Sequence, residues 1–190
     1  MSKHDYNIFA RIYALLFNTR DFFADVQDEP ILKTLLKTIP FYLAISILIS
    51  IILVEMEPVS IMIFGLAYFI ALPAIMLIVP LILHFILKFM PGEETTGTIG
   101  DTYKAVIYIT TYLHIVLAPL FLLLPFLSGN LPILVIFMVA ALLSQVLYLI
   151  ILSKALSELH NVKFGQAVGA YILTMAFFKV IGYILEKVIP

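Results

Sequence analysis

The sequence predicts an all-α fold: a polytopic bundle of five transmembrane helices, its N-terminus cytosolic, with an amphipathic interfacial helix before the first span. Three observations predict it. Of the 190 residues, 63% are hydrophobic and only 12% charged, where soluble domains carry about 45–50% and about 25%. Apolar runs long enough to cross roughly 30 Å of hydrocarbon recur along most of the chain. Lys and Arg, finally, are confined largely to alternate connections.

Residues 1–37 read as a cytosolic and interfacial lead-in. Within it, Ile8, Ile12, Leu15 and Leu16 recur at helical spacing, and Phe9, Tyr13 and Phe17 widen the apolar face. Such a segment lies in the membrane interface or packs across the end of the bundle, and the two placements are compatible. Met1 to Asn7 is polar and acidic residues follow from Asp21, so the segment does not resemble a cleaved signal.

The first span is expected over about 38–54, closed by Glu55 to Pro58. The second covers 59–90. As one helix it would be roughly 48 Å long, so it must tilt, kink or project from the bilayer. Pro73 and Pro80 supply the kinks, leaving open one bent helix or two. Pro91 to Asp101 reads as a loop by its Gly, Pro and Thr content. The third span covers 102–127 and the fourth 132–152, with Pro132 in its first turn. Ser153 to Gly165 is read as a polar connection, and the fifth span covers 166–189. With no long linker or low-complexity tract, 1–190 reads as a single membrane domain.

Charge orients the spans. Lys3, Arg11, Arg20, Lys33 and Lys37 precede the first, Lys88 and Lys104 flank the second connection, and Lys154 and Lys163 flank the fourth. The other two connections carry none, and Lys179 and Lys187 alone fall on the opposite side. The positive-inside rule places the N-terminus in the cytosol and the C-terminus outside, and the cytoplasmic membrane is the expected location.

Few residues could carry chemistry. The net charge of −1 presents no basic field for nucleic acid. The absence of cysteine removes thiolate metal sites and thiol nucleophiles. Ionisable groups inside spans are costly and invite a functional reading. His84 and Lys88 lie near the end of the second span, where His84 is either a capping imidazole or a functional one. His114 lies mid-way along the third, either in an interhelical contact with Tyr108, Thr110, Thr111 or Gln145, or in a relay or ligand site. Lys179 can snorkel outward toward the level of Glu186. His84 and His114 lack the i, i+4 spacing of a local metal site. No phosphate-cradling loop, hydrolase triad order or cofactor motif appears, so no catalytic, metal or cofactor residues are expected. Gly165 and Gly169 form a GxxxG pair suited to close helix contact.

Several stretches together resemble the Yip family, five-span membrane proteins first named for interaction with Ypt/Rab GTPases, and its prokaryotic members most closely. Asn18 to Phe23 (NTRDFF) is similar to the family's P-x-x-F-F lead-in without its proline. His84 to Lys88 followed by Pro91-Gly92 resembles the exit from the second span, and Thr102 to Tyr108 the start of the third. Ala155 to Asn161, continuing through Gly165 to Ala167 and Ala170, resembles the passage between the fourth and fifth spans. The resemblance implies that His160 fixes the turn between two helices.

It also implies a non-enzymatic membrane scaffold or adaptor, acting in membrane organisation or in assembly of another membrane complex. The expected partners are the lipid bilayer and either another membrane protein or a second copy. The acidic D-L-Y-G-P type motif of eukaryotic relatives is absent, so binding of Rab-type GTPases is not supported. The alternative is a small transporter or channel built on the proline-broken second and third spans.

Overall fold

In the computed structural model, residues 8–52, 58–90, 96–121 and 131–188 are described. They form seven helices and, among the described residues, no strand: α1 (Ile8–Phe17), α2 (Thr19–Val26), α3 (Ile31–Ile52), α4 (Pro58–Phe89), α5 (Ile99–Phe121), α6 (Leu131–His160) and α7 (Phe164–Val188).

The N-terminal lead-in holds the expected helix as α1, ending at Phe17, and a second short helix, α2, directly after it. Asn18 leaves helical geometry at φ −135°. Its N–H still donates to the Ala14 carbonyl at 2.8 Å, while its own carbonyl accepts from Phe22 at 3.1 Å. One residue thus ends α1 and begins α2. Leu15, Phe22, Phe23 and Val26 point into the core, and Phe22 packs edge-on against Tyr108 at 5.2 Å between centroids. On the other side of α1, Phe9, Tyr13 and Phe17 stay exposed. The segment therefore packs on the bundle and also presents an aromatic stripe outward.

Pro30 precedes α3, where a missing N–H is harmless, and its carbonyl accepts from Lys33 and Thr34. Pro40 sits inside α3 and leaves the carbonyl one turn earlier without its usual partner. The long α4 runs as a single helix through Pro73 and Pro80, so this stretch is one helix and not two.

Among the large helices α5 is innermost, packed against α3, α4 and α6, while α7 closes against α4 and α6. Ala105 to Ile109 are all 2% exposed or less. The buried cluster joins Leu15 and Phe22 to Leu83, Leu87, Leu152 and Leu156, at the end of the bundle where α4 and α6 finish and α3, α5 and α7 start. Buried hydroxyls within it return to their own helices, as Thr111 does to Ile107 at 2.7 Å and Thr174 to Ala170 at 2.8 Å.

The stretch read as a polar connection, Ser153 to Gly165, is instead helical as far as His160. Leu152, Ala155 and Leu156 are fully buried, and Leu159 packs beside them, at spacings of three and four that continue the core face. The helix stops at Asn161, which takes the left-handed conformation (φ 54°) while Val162 N–H donates back to Ser157 at 3.2 Å. Lys163 N–H is then met by the Gln166 side chain at 2.9 Å, opening α7. The loop read over Pro91 to Asp101 likewise ends early, since α5 begins at Ile99. The GxxxG pair splits: Gly169 faces Met90, whereas Gly165 meets nothing within 4 Å.

Much of the remaining surface is apolar. By length and composition α6 and α7 can cross a membrane, and only 6% and 12% of their apolar windows are buried. A soluble core helix would be mostly buried, so apolar faces this broad call for a cover of lipid or of another chain. The fourth and fifth expected spans coincide with them, and part of α4 (Ala74–Phe89) is a shorter apolar stretch.

The left-handed stop generates a prediction. Asn161→Gly keeps the wild-type melting temperature in detergent, while Asn161→Ala, which must place a Cβ in that conformation, loses about 1 kcal/mol.

Candidate functional site

The start of α5 is set by its cap. Thr98 N–H and hydroxyl both donate to Asp101 Oδ2, at 2.8 and 2.7 Å, and Asp101 N–H donates to Thr98 Oγ1 at 3.3 Å. This reciprocal box satisfies orphan donors of the first turn and sets a carboxylate at its positive end. It also fixes the position of Thr102, the next residue, which is fully buried.

Thr102 joins two histidines. Its Oγ1 lies 2.8 Å from His160 Nε2, at the end of α6, and 3.2 Å from His84 Nδ1, in the last turns of α4. The two rings stand 5.4 Å apart. A hydroxyl has one proton, so at least one imidazole must donate to it. His160 Nδ1 is buried without a partner, and an orphaned acceptor is better tolerated than an orphaned N–H. His160 is therefore assigned the Nε2–H tautomer, donating to Thr102, which in turn donates to His84. Against the bare Nδ1 side lies Gly97. A Cβ there would come within 2.4 Å of Nδ1 and 2.7 Å of the Leu159 carbonyl. The His160 carbonyl also accepts from Thr96 N–H at 3.2 Å, tying the approach to α5 onto α6.

A second polar node lies at the same end. Glu29, between α2 and α3, accepts from the Tyr108 hydroxyl on Oε2 and from Lys37 on Oε1, where it forms the single ion pair among the described residues. Burial works to raise the Glu29 pKa, but the hydrogen bonds from Lys37 and Tyr108 outweigh it and hold the carboxyl below its ordinary value. Buried Lys104 donates to the Gln27 carbonyl beside it.

Of the four residues singled out from the sequence, the structure brings His84 and His160 together. Lys88, one turn beyond His84, is exposed. His114 stands apart. Its Nδ1 is 2.6 Å from the Thr110 carbonyl, so that nitrogen carries the proton, and the ring lines a cavity of about 360 Å³ with Gln145, Tyr148 and Tyr171. Thr110 reaches Tyr148 instead, at 3.1 Å. Among the described residues no three His, Asp or Glu groups converge as metal ligands would.

Sequence reasoning missed Thr102, Gly97 and Glu29 as partners. The Thr98 to Asp101 spacing was a legible capping signal, but nothing local marks a hydroxyl that meets a histidine 58 residues away.

Helices with uncovered apolar faces, tied at one end by buried polar bonds, define an integral membrane protein of the helical-bundle class. The Yip1 domain family matches residues 13–185, and the chain belongs to that family. No curated protein and no solved structure matches it.

Two outcomes follow. Gly97→Ala forces Cβ against the His160 ring and destabilises the protein by roughly 1–3 kcal/mol, read as a lowered melting temperature. Glu29, with its folded pKa depressed, contributes stability above about pH 4.5 that is lost as pH falls through the folded value. Glu29→Gln accordingly costs about 1–3 kcal/mol at neutral pH and flattens the acid limb of a stability–pH profile.

Proposed function

We propose that this protein is a non-enzymatic scaffold of the cytoplasmic membrane, crossing it five times with its N-terminus in the cytosol. Its packed cytosolic end holds another membrane protein or a second copy of itself. The observation that carries the reading is the use made of the buried polar groups. His84, Thr102 and His160 join three helices, and Glu29 joins the N-terminal region to α5. They act as ties between elements, which is what a rigid platform requires.

The topology has support of its own. α3 to α7 supply five long helices. Arg11, Lys33, Lys37, Lys88, Lys104, Lys154 and Lys163 belong to helix ends and turns on the packed side, as a cytosolic face requires. The alternative, a small transporter, has one specific observation behind it: the cavity beside His114, whose Nε2 is left available by the bond at Nδ1.

The test is crosslinking in native membranes, gentle purification and mass spectrometry. A stoichiometric membrane-protein partner, or a defined homo-oligomer, is the expected result. A solitary protein whose reconstituted vesicles pass protons or small solutes, with flux abolished by His114→Ala, would replace the scaffold with the transporter. For topology, the cysteine-free chain permits single-cysteine labelling: Lys163→Cys reacts from the cytosol and Asn130→Cys from outside.

A further inference from the structure

A cavity of about 260 Å³ opens between α1, α3 and α5, on the packed side of the bundle and away from the histidines. Arg11, Lys37, Tyr108 and Tyr112 are among its lining residues. Arg11 lies one turn before Leu15 on the same face of α1, and the burial of Leu15 turns the guanidinium inward. There it hydrogen-bonds Tyr112. Burial disfavours its charge, yet the bond to Tyr112 and the nearby Tyr and Glu29 groups more than offset this, so it stays firmly cationic.

No carboxylate pairs with Arg11 among the described residues, since the single ion pair there is Lys37 with Glu29. Glu29 is already engaged on both oxygens, by Lys37 and by Tyr108. Thr38 and Thr111 also line the cavity, but each turns its hydroxyl hydrogen to its own helix. What faces the cavity is thus a guanidinium with several N–H groups in a planar fork, a lysine ammonium and a tyrosine hydroxyl. Lys33 adds positive charge close to Glu29. That set matches a phosphate, which a guanidinium grips through two oxygens.

The position says where the phosphate comes from. Phe9, Tyr13 and Phe17 follow one another at four-residue intervals on the exposed side of α1. Aromatic side chains of this kind settle at the level of lipid headgroups. With that stripe in the interface and Leu15 against the bundle, the cavity mouth sits at headgroup depth, where basic pockets between helices take anionic lipids.

We propose that this cavity binds the phosphate of an anionic phospholipid from the leaflet on which α1 lies, held by Arg11 and Lys37 with Tyr112. The lipid then locks α1 to α3 and α5. The proposal rests on the interfacial placement of α1 and deepens the scaffold reading by naming a ligand for its cytosolic end.

The test uses the full chain in nanodiscs of phosphatidylcholine with and without phosphatidylglycerol, followed by native mass spectrometry after release into mild detergent. Wild type retains phosphatidylglycerol in preference to phosphatidylcholine at about one per chain. Arg11→Gln, Lys37→Gln and the charge-keeping Arg11→Lys each reduce retention by about tenfold or more, equivalent to the loss of one good contact. Lys187→Gln, at the far end of α7, leaves it unchanged. Melting curves identify any variant that fails to fold, and Arg11→Lys then carries the comparison. No lipid preference in wild type, or equal retention by folded variants, overturns the proposal. So does inorganic phosphate raising the melting temperature in phosphatidylcholine discs as much as phosphatidylglycerol does, because the ligand is then a soluble phosphate. Tyr13→Trp, the sole tryptophan in that variant, separates the two premises. Quenching by brominated lipid without retention removes the site alone, and no quenching removes the placement of α1 and the lipid site with it.

Discussion

A helix at the centre of an apolar bundle has no water to satisfy its polar side chains, so each must find a partner within its own helix or on another element. In this protein that helix is α5. Thr102 reaches His160 of α6 and His84 of α4, and Tyr103 donates to the Leu77 carbonyl of α4 at 2.7 Å. Lys104 and Tyr108 hold Gln27 and Glu29 ahead of α3, while Thr110 meets Tyr148 of α6. Turning α5 by one residue would misplace all of these at once. The Thr98–Asp101 cap fixes where α5 begins, and these bonds fix how it is turned.

The polar bonds concentrate at one end, and so does the tight packing. There α1 and α2 pack against the ends of the long helices, and the short Asn161 to Lys163 turn joins α6 to α7. Toward the other end, α6 and α7 show broad apolar faces, among them Leu142, Leu143 and Tyr183. This division matches what a membrane imposes: lipid covers the apolar faces, and specific structure gathers where the chain meets water. On the proposed reading, the basic, packed end is the surface offered to partners and headgroups. The two polar nodes then have separate tasks. The histidine node holds helix ends together, while the Glu29 node leaves Arg11 without an ion pair among the described residues.

The helical class, the membrane character and the family were legible because they are written in local quantities. Apolar run length, helical spacing and the composition of connections need no knowledge of what lies across the bundle. Errors came where a local signal was ambiguous. Ser153 to His160 is half polar and reads as a loop, yet Leu152, Ala155, Leu156 and Leu159 keep the helical period, and burial of that face carries the helix on to Asn161. The first helix was legible as far as Phe17, but the short α2 after Asn18 was not.

What the sequence determined by itself was the kind of solvent this chain needs and the helices that meet it, since hydrophobicity and periodicity belong to single segments. Only the tertiary structure decided which polar groups meet. His84 and His160 come together through Thr102 while His114 stands apart, and Arg11 faces a cavity beside Glu29, whose two oxygens are already taken by Lys37 and Tyr108. Such pairings depend on how helices far apart in sequence rotate against each other, and that rotation is chosen by the packing and polar satisfaction of the entire bundle at once.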